Sequence, residues 1–554
     1  MKTVFLRIGD ISDNGHVTII DEDRLCYIVK NESKGASGLR TISKSLLSEF
    51  IDYVRTNPQT KADEARMALC GQTCNDKFEY GYASTLVTMA HMAINKEQIT
   101  SQECSNSVLL RSNSFRPYLT AIKSKPFLLL AGISGTGKSR IVREFAFKSC
   151  PKYLQDKAGT TPGNYCMIEV KPNWHDSTEL LGYYSRLGNK PGYQFTKFVK
   201  FLVKAKMFPT VPFFVCLDEM NLAPVEQYFA EMLSILETRK HPKNQETGEV
   251  DMTKVKTEPI IDAQYFRELA KISNTKNTET EEPFSSNLTD RDIYLKLFDI
   301  DTENDIDEEV GNRTDLTTEG LTLPDNVVII GTVNMDDTTH QFSRKVIDRA
   351  MTIEMNGGNL RNMFGGSKNL EYLLDEEQQK WQNAFTRRYV TADEVLEAHP
   401  DVAEVLVEKL PAQLEVINKA LKGTPFEVSY RVLNELTIMV GVMLDEGKTL
   451  DDAIAQSVNN MLLMKMLPRM EGDAEMFALS REYRNKVGVP YDNRLKWLKD
   501  LAPDIKEPSQ ETTSDNGDAE ESADKDKEHQ QTAKEKIDEM IDRLNNQEFT
   551  RFWP

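Results

Sequence analysis

The sequence predicts an α/β chain: a parallel sheet flanked by helices, preceded by a small mixed α+β domain and followed by a helical lid. Three observations predict it. Four short, strongly apolar segments recur between residues 126 and 332, each closing on polar residues. The first of them runs directly into the glycine-rich stretch GISGTGKS and then into a helix-patterned segment. Beyond about residue 370, apolar residues return at helical spacing instead.

At 554 residues the chain exceeds one ordinary core, and two or three domains are expected. No apolar run approaches the ~18 residues of a membrane span, and the N-terminus lacks the apolar stretch of a signal peptide. A cytoplasmic chain with no membrane partner is therefore expected. The seven cysteines (26, 70, 74, 104, 150, 166 and 216) are scattered without a CxxC pair. Buried thiols are expected of them, with neither zinc nor disulfides, although Cys70, Cys74 and His91 form a partial ligand pattern. The net charge of −19 is concentrated: residues 240–323 carry 20 acidic and 10 basic residues, and residues 503–528 carry 10 and 3. The remainder is near neutral, so local phosphate-binding patches are not excluded.

Residues 1–112 open with the strand-like KTVFLRI, HVTII and LCYIV. A helix is expected over LRTISKSLLSEFIDYV, where Ile42, Leu46, Leu47, Phe50, Ile51 and Val54 recur at helical spacing, and others over ADEARMALCG and YASTLVTMAHMAI. Residues 113–370 follow strand–loop–helix grammar, with core strands expected at PFLLLA (126–131), YCMIEV (165–170), PFFVCL (212–217) and NVVIIGT (326–332). Ligands of such sheets sit at the carboxyl ends of the strands. The acidic stretch 240–323 is too long for a simple loop, and DAQYFRELAKI and DRDIYLKLF give it helices of its own. Residues 371–502 read as the helical lid (TADEVLEAH, RVLNELTIMVGVML, LDDAIAQSVNNMLLMKML). Residues 503–530 read as a disordered acidic linker, and residues 531–554 as an amphipathic helix (Ile537, Met540, Ile541, Leu544) closing on FTRFWP. That tail is a candidate docking peptide for a partner or for the chain's own body.

The stretch Gly132, Ile133, Ser134, Gly135, Thr136, Gly137, Lys138, Ser139, followed by Arg140, satisfies G-x-x-x-x-G-K-[ST] between a strand and a helix. Its glycines let backbone N–H groups turn onto phosphate oxygens at a helix N-terminus. Lys138 would reach the β- and γ-phosphates, and Ser139 would bind Mg²⁺. FFVCLDEMN ends a strand in Asp218 and Glu219: the first would hold Mg²⁺ and the second would polarise the attacking water. Asn334, at the end of the fourth strand, would hydrogen-bond the lytic water and the γ-phosphate. Arg349 reads as an arginine finger supplied to another molecule, with Arg344 as the competing candidate and an ion pair to Asp348 as the bland one.

The ordered motifs AGISGTGKSR, VKPNWHDSTELLGYY, LDEMNLAPVEQYFAEMLSILE, GTVNMDDTTHQFSRKVIDRA and SYRVLNE resemble the AAA+ NTPases of the McrB type, in the dynein-related branch, over roughly residues 115–475. The resemblance assigns Gly132, Gly135, Gly137, Lys138 and Ser139 to Walker A, Asp218 and Glu219 to Walker B, Asn334 to sensor 1 and Arg349 to the finger. It makes Arg431 a nucleotide-binding sensor-2 arginine from the lid, and Asp337 the acid of an Asn-x-x-Asp signature. It implies a homo-oligomer, commonly a hexameric ring, hydrolysing ATP or GTP with Mg²⁺. It further implies DNA as substrate, a separately encoded McrC-like nuclease subunit, and a role in restriction or phage defence. Residues 1–112 would then select the target, although they match no modified-base reader. A remodeller of protein partners and a slow nucleotide-dependent assembly switch are the alternative readings.

Other residues weigh less. Trp174, Tyr183 and Tyr184 suit either a threaded polymer or core packing. His175 and His340 read as polar capping residues. The IEVK of Ile168–Lys171 imitates a nuclease fragment, but Glu169 belongs to the sheet and no second acid has the spacing, so nuclease activity is not expected of this chain.

Overall fold

The structure is a computed structural model that describes residues 17–22, 26–31, 38–43, 47, 85–90, 115–156, 158–187, 192–242, 251, 254–273, 288–335, 340, 342–355, 370–505 and 531–553. The chain divides into two compact units, Met1–Arg111 and Ser112–Pro554.

In the first unit, β1 (Val17–Glu22), β2 (Cys26–Asn31) and β3 (Gly38–Ser43) form an antiparallel sheet in that order. Here the helix expected from Leu39 is corrected, because residues 39–43 are strand and Ile42 pairs with Tyr27. Ile42 is fully buried, and over so short a run its place in a 3.6-residue pattern is also compatible with a two-residue one. A helix covers residues 85–90 as expected. The segments KTVFLRI and ADEARMALCG lie outside the described residues, as do Cys70, Cys74, Cys104 and His91.

The second unit carries β4 (Phe127–Gly132), β5 (Tyr165–Glu169), the hairpin β6 (Tyr183–Ser185) and β7 (Gly192–Gln194), β8 (Phe213–Asp218), the pair β9 (Pro259–Ile261) and β10 (Leu321–Thr322), then β11 (Val327–Asn334) and β12 (Met351–Glu354). The central sheet has the order β12-β4-β11-β8-β5, with every neighbouring pair parallel. β4 is buried along its whole length, and β8 and β11 are buried up to their last residues. Continuous apolar runs suit strands covered on both faces. This is the α/β P-loop fold that the sequence predicts. The fifth strand, β12, has only four residues and carries Thr352 and Glu354, too little for an apolar-run reading.

Register aligns the carboxyl ends of the strands. Asn334 pairs with Gly132, Glu169 with Asp218, and Gly331 with Leu217. The helix Lys138–Ser149 covers one face, and behind it Trp381 and Phe385 of the helix Asp375–Phe385 pack on Phe145. Gln382 donates to the Ser149 carbonyl at 2.9 Å, so this helix, the first beyond residue 370, serves the α/β layer.

The acidic insertion is built into the same core. Its helices Ala263–Ser273 and Asp290–Phe298 bring Phe266, Ile293 and Tyr294 into contact with the apolar cluster that covers the sheet. Thr289 and Asp292 close a capping box on the second helix. At the far end, the helix Ala533–Gln547 buries Ile537, Met540 and Leu544. The tail folds onto its own chain: β14 (Phe549–Arg551) pairs antiparallel with β13 (Glu471–Asp473), and Phe552 is buried.

Asn326, just before β11, donates its side-chain amide to the carbonyls of Ala205, Phe208 and Val211 at 2.7–3.0 Å. Asn326→Ala is expected to destabilise the unit by ~1–3 kcal/mol by stripping those carbonyls of their partner. A denaturation midpoint equal to wild type would show that water replaces the amide at no cost.

Candidate functional site

The loop after β4 owes its shape to glycine. Gly135 and Gly137 have φ of 86° and 84°, a region costly for residues with a Cβ. At Gly132 the limit is steric, because a Cβ there would stand 2.3 Å from the Met355 carbonyl oxygen. Ile133, Ser134, Gly135 and Arg140 are exposed, whereas Lys138 is buried. The Lys138 ammonium curls into the loop, donating to the carbonyls of Gly132 (3.0 Å) and Ile133 (2.6 Å). The Thr136 hydroxyl donates to Ile133 O at 3.1 Å and tightens the turn. Such a loop, opening a helix at the carboxyl edge of a parallel sheet, presents N–H groups to an anion.

The neighbouring strand ends complete the site. Ser139 Oγ donates to Asp218 Oδ1 at 2.5 Å, joining the loop to β8. Thr332 Oγ1 donates to the same Asp218 oxygen at 2.8 Å and accepts the Glu219 N–H at 2.9 Å. Asn334 Nδ2 donates to Glu219 Oε1 at 2.9 Å. Residues two apart on a strand share a face, so β11 aims Thr332 and Asn334 together at the paired acids. Glu219 is held at φ 52°, left-handed for a residue with a side chain, the kind of strain kept where the surroundings over-determine a conformation. Asn221 supports the site from below, donating to Asn334 O at 2.8 Å and accepting the His340 N–H at 3.0 Å.

Sequence reasoning missed Thr332. Its signal was a hydroxyl two residues before Asn334, inside an otherwise apolar buried strand. For Mg²⁺ the donor set fits: a hydroxyl and a carboxylate, both hard oxygen donors of the kind this ion prefers, meet at one point. No cluster of three or more His, Cys, Asp or Glu residues suited to a metal occurs among the described residues. Cys216, two residues before Asp218, is fully buried, and burial pushes its thiol up to about 12. It is a neutral packing group, and Cys150 and Cys166 are buried thiols as well.

The arginines lie elsewhere. Arg349 precedes β12, at the amino end of the sheet, and its Nε faces Glu237 Oε1 at 3.9 Å. Arg431 Nη2 meets Glu237 Oε2 at 2.7 Å. Glu237 also faces Lys125, which stands before β4 begins. Six residues of strand at ~3.3 Å each place this group ~20 Å from the loop that follows β4. Arg431 therefore lies at the opposite end of the sheet from its own chain's loop. The cause is Glu435, one helical turn further along Tyr430–Asp445, whose buried carboxylate binds Lys125 and docks that helix face at the base of β4. Arg344 stacks over Phe426 at 5.3 Å, and Asp348 pairs with Arg469 at 2.9 Å. Trp174 is core, edge-on to Tyr228, while Tyr183 and Tyr184 are exposed on the β6–β7 hairpin. His175 is exposed, and Asp337 lies outside the described residues.

Thr332→Val, nearly isosteric, is expected to weaken Mg²⁺-dependent nucleotide binding ~10-fold, equivalent to ~1.4 kcal/mol, without unfolding the chain. Unchanged affinity in a fluorescent-nucleotide titration would remove Thr332 from the site.

Residues 382–549, the lid and C-terminal helix, match a family described as a domain of unknown function (DUF8727). No curated protein matches the chain. A crystal structure described as a "putative ATPase" from Cytophaga hutchinsonii is similar at 14% identity and a TM-score of 0.33, covering 75% of this chain and 100% of that one.

Proposed function

We propose that this chain is a ring-forming AAA+ nucleoside triphosphatase of the McrB type, hydrolysing ATP or GTP with Mg²⁺. The observation that carries the reading is the run of hydrogen bonds Ser139–Asp218–Thr332–Glu219–Asn334, side chain to side chain except where Thr332 accepts the Glu219 backbone N–H, which joins the phosphate loop, the metal-binding acid and the catalytic acid. Lys138 and the loop N–H groups hold the phosphates. Glu219 takes a proton from the attacking water, while Asn334 fixes the carboxylate and orients that water. Ser139 and Asp218 would hold the Mg²⁺, which would supply charge neutralisation on the phosphates. Arg349 and Arg431 are too far from their own loop to serve it, so they are read as serving the loop of a neighbouring copy. A ring of copies, commonly six, meets that demand.

The substrate reading is DNA, translocated or remodelled together with a McrC-like nuclease subunit in restriction or phage defence, with residues 1–112 choosing the target. The motif resemblance supports it. The acidic insertion, with 20 acidic against 10 basic residues in 240–323, favours the second reading, a remodeller of protein partners, since a surface of that charge repels DNA. Stimulation of hydrolysis by duplex DNA separates the two readings, and an unstimulated rate would retire the first.

Three substitutions test the chemistry. Lys138→Ala is expected to abolish nucleotide binding. Glu219→Gln should keep binding and lose turnover by ~10²–10⁴-fold. Arg349→Ala should keep binding and lose turnover on the order of 10³-fold or more. Steady-state phosphate release with each triphosphate measures turnover and a fluorescent-nucleotide titration measures binding in all three, and full turnover in Arg349→Ala would remove the ring argument.

A further inference from the structure

We propose that Lys465 is the positioning residue for Arg349, gripping the backbone on both sides of that arginine and so setting where its guanidinium is delivered. The inference rests on the reading of Arg349 as a group supplied to a neighbouring copy. Lys465 is fully enclosed, and its ammonium donates to the carbonyls of Asp348 (2.6 Å) and Ala350 (3.0 Å). Its third direction meets Glu435 Oε2 at 2.9 Å. An ammonium has three donors, and here two are spent on the peptide groups flanking one residue.

The way Lys465 is presented is unusual. The helix Leu450–Met461 passes into a π-helical turn, Leu462–Met466, and Lys465 lies within it. Single π turns inside helices are rare and concentrate at functional sites. Four residues on, in the 3-10 turn Leu467–Arg469 that follows, Arg469 holds the Asp348 carboxylate, so residue 348 is fixed by both backbone and side chain. Arg349 itself is loosely held: its side chain is 26% exposed, with Nη1 on the Lys345 carbonyl and Nε only facing Glu237. Its direction therefore depends on its backbone. Burial pushes the Lys465 ammonium down from the usual lysine range, and Glu435, which also binds Lys125 at the base of β4, counters that shift. A residue needed only to fill this volume would be apolar and would avoid the cost of burying charge.

Mixed rings test the proposal. Glu219→Gln chains lack the catalytic acid but keep Arg349, and Arg349→Ala chains have the reverse, so each alone should be silent and their mixture should hydrolyse nucleotide. Lys465→Met added to the Glu219→Gln chains, which donate Arg349, is expected to lower the regained rate on the order of 10-fold or more. Added to the Arg349→Ala chains instead, it should change that rate by less than about 2-fold, because those chains have no finger to aim. Lys465→Gln, which keeps two N–H donors, is run in parallel and should show the same asymmetry with a smaller drop. Equal losses in both positions, or no loss in either, overturn the proposal. A mixture that stays silent before Lys465 is touched removes the role of Arg349, and this inference with it.

Discussion

Everything at the candidate site depends on β11 lying between β4 and β8, hydrogen-bonded to both. That position sets Asn334 level with Gly132 on one side and brings Thr332 against the paired acids on the other. Side chains alternate along a strand, so a slip of one residue would turn Thr332 and Asn334 away together. Buried apolar residues on both faces of β11 hold the register, and Gly331 permits it: a Cβ there would stand 2.5 Å from Met220 Sδ. The packing of a strand interior thus sets the distance between the Glu219 carboxylate and the Asn334 amide.

The opposite end of the sheet is organised by buried charge. Glu435 lies between Lys125 and Lys465, with the Glu435 and Lys465 side chains almost wholly enclosed and Lys125 11% exposed. Removing ions from water is costly, and such a group is tolerated when each charge is paired and its remaining donors find acceptors. Here the acceptors are the Asp348 and Ala350 carbonyls. The lid helix, the base of β4 and the segment leading to β12 therefore share one polar junction. One end of the sheet carries the glycine-rich loop, and the other gathers Arg349 and Arg431 around Glu237.

The acidic character of the chain reads differently once folded. The insertion contributes aromatic and aliphatic side chains to the main core, and Asp290, fully buried, is tied to Leu316 N and faces Lys206. The C-terminal helix is anchored likewise, through the Lys536–Glu354 pair on the last residue of β12. Both segments brace the sheet that carries the site.

By itself the sequence determined the elements whose chemistry is local. The glycine-rich loop is eight consecutive residues, the Asp218–Glu219 pair is adjacent, and four of the five central strands announce themselves as apolar runs, three of them buried on both faces. Tertiary structure alone decided what depends on distant neighbours. The Glu219–Asn334 bond joins residues 115 positions apart and exists only because of strand order. Thr332 gains meaning from the acids opposite it, and β12 from the edge it pairs with. Residues 39–43 became strand because pairing with β2 satisfies their backbone. Arg431 went to the far end of the sheet because Glu435, on the same helix face, found its cations there, and a charge pattern along one helix does not name its partner on another.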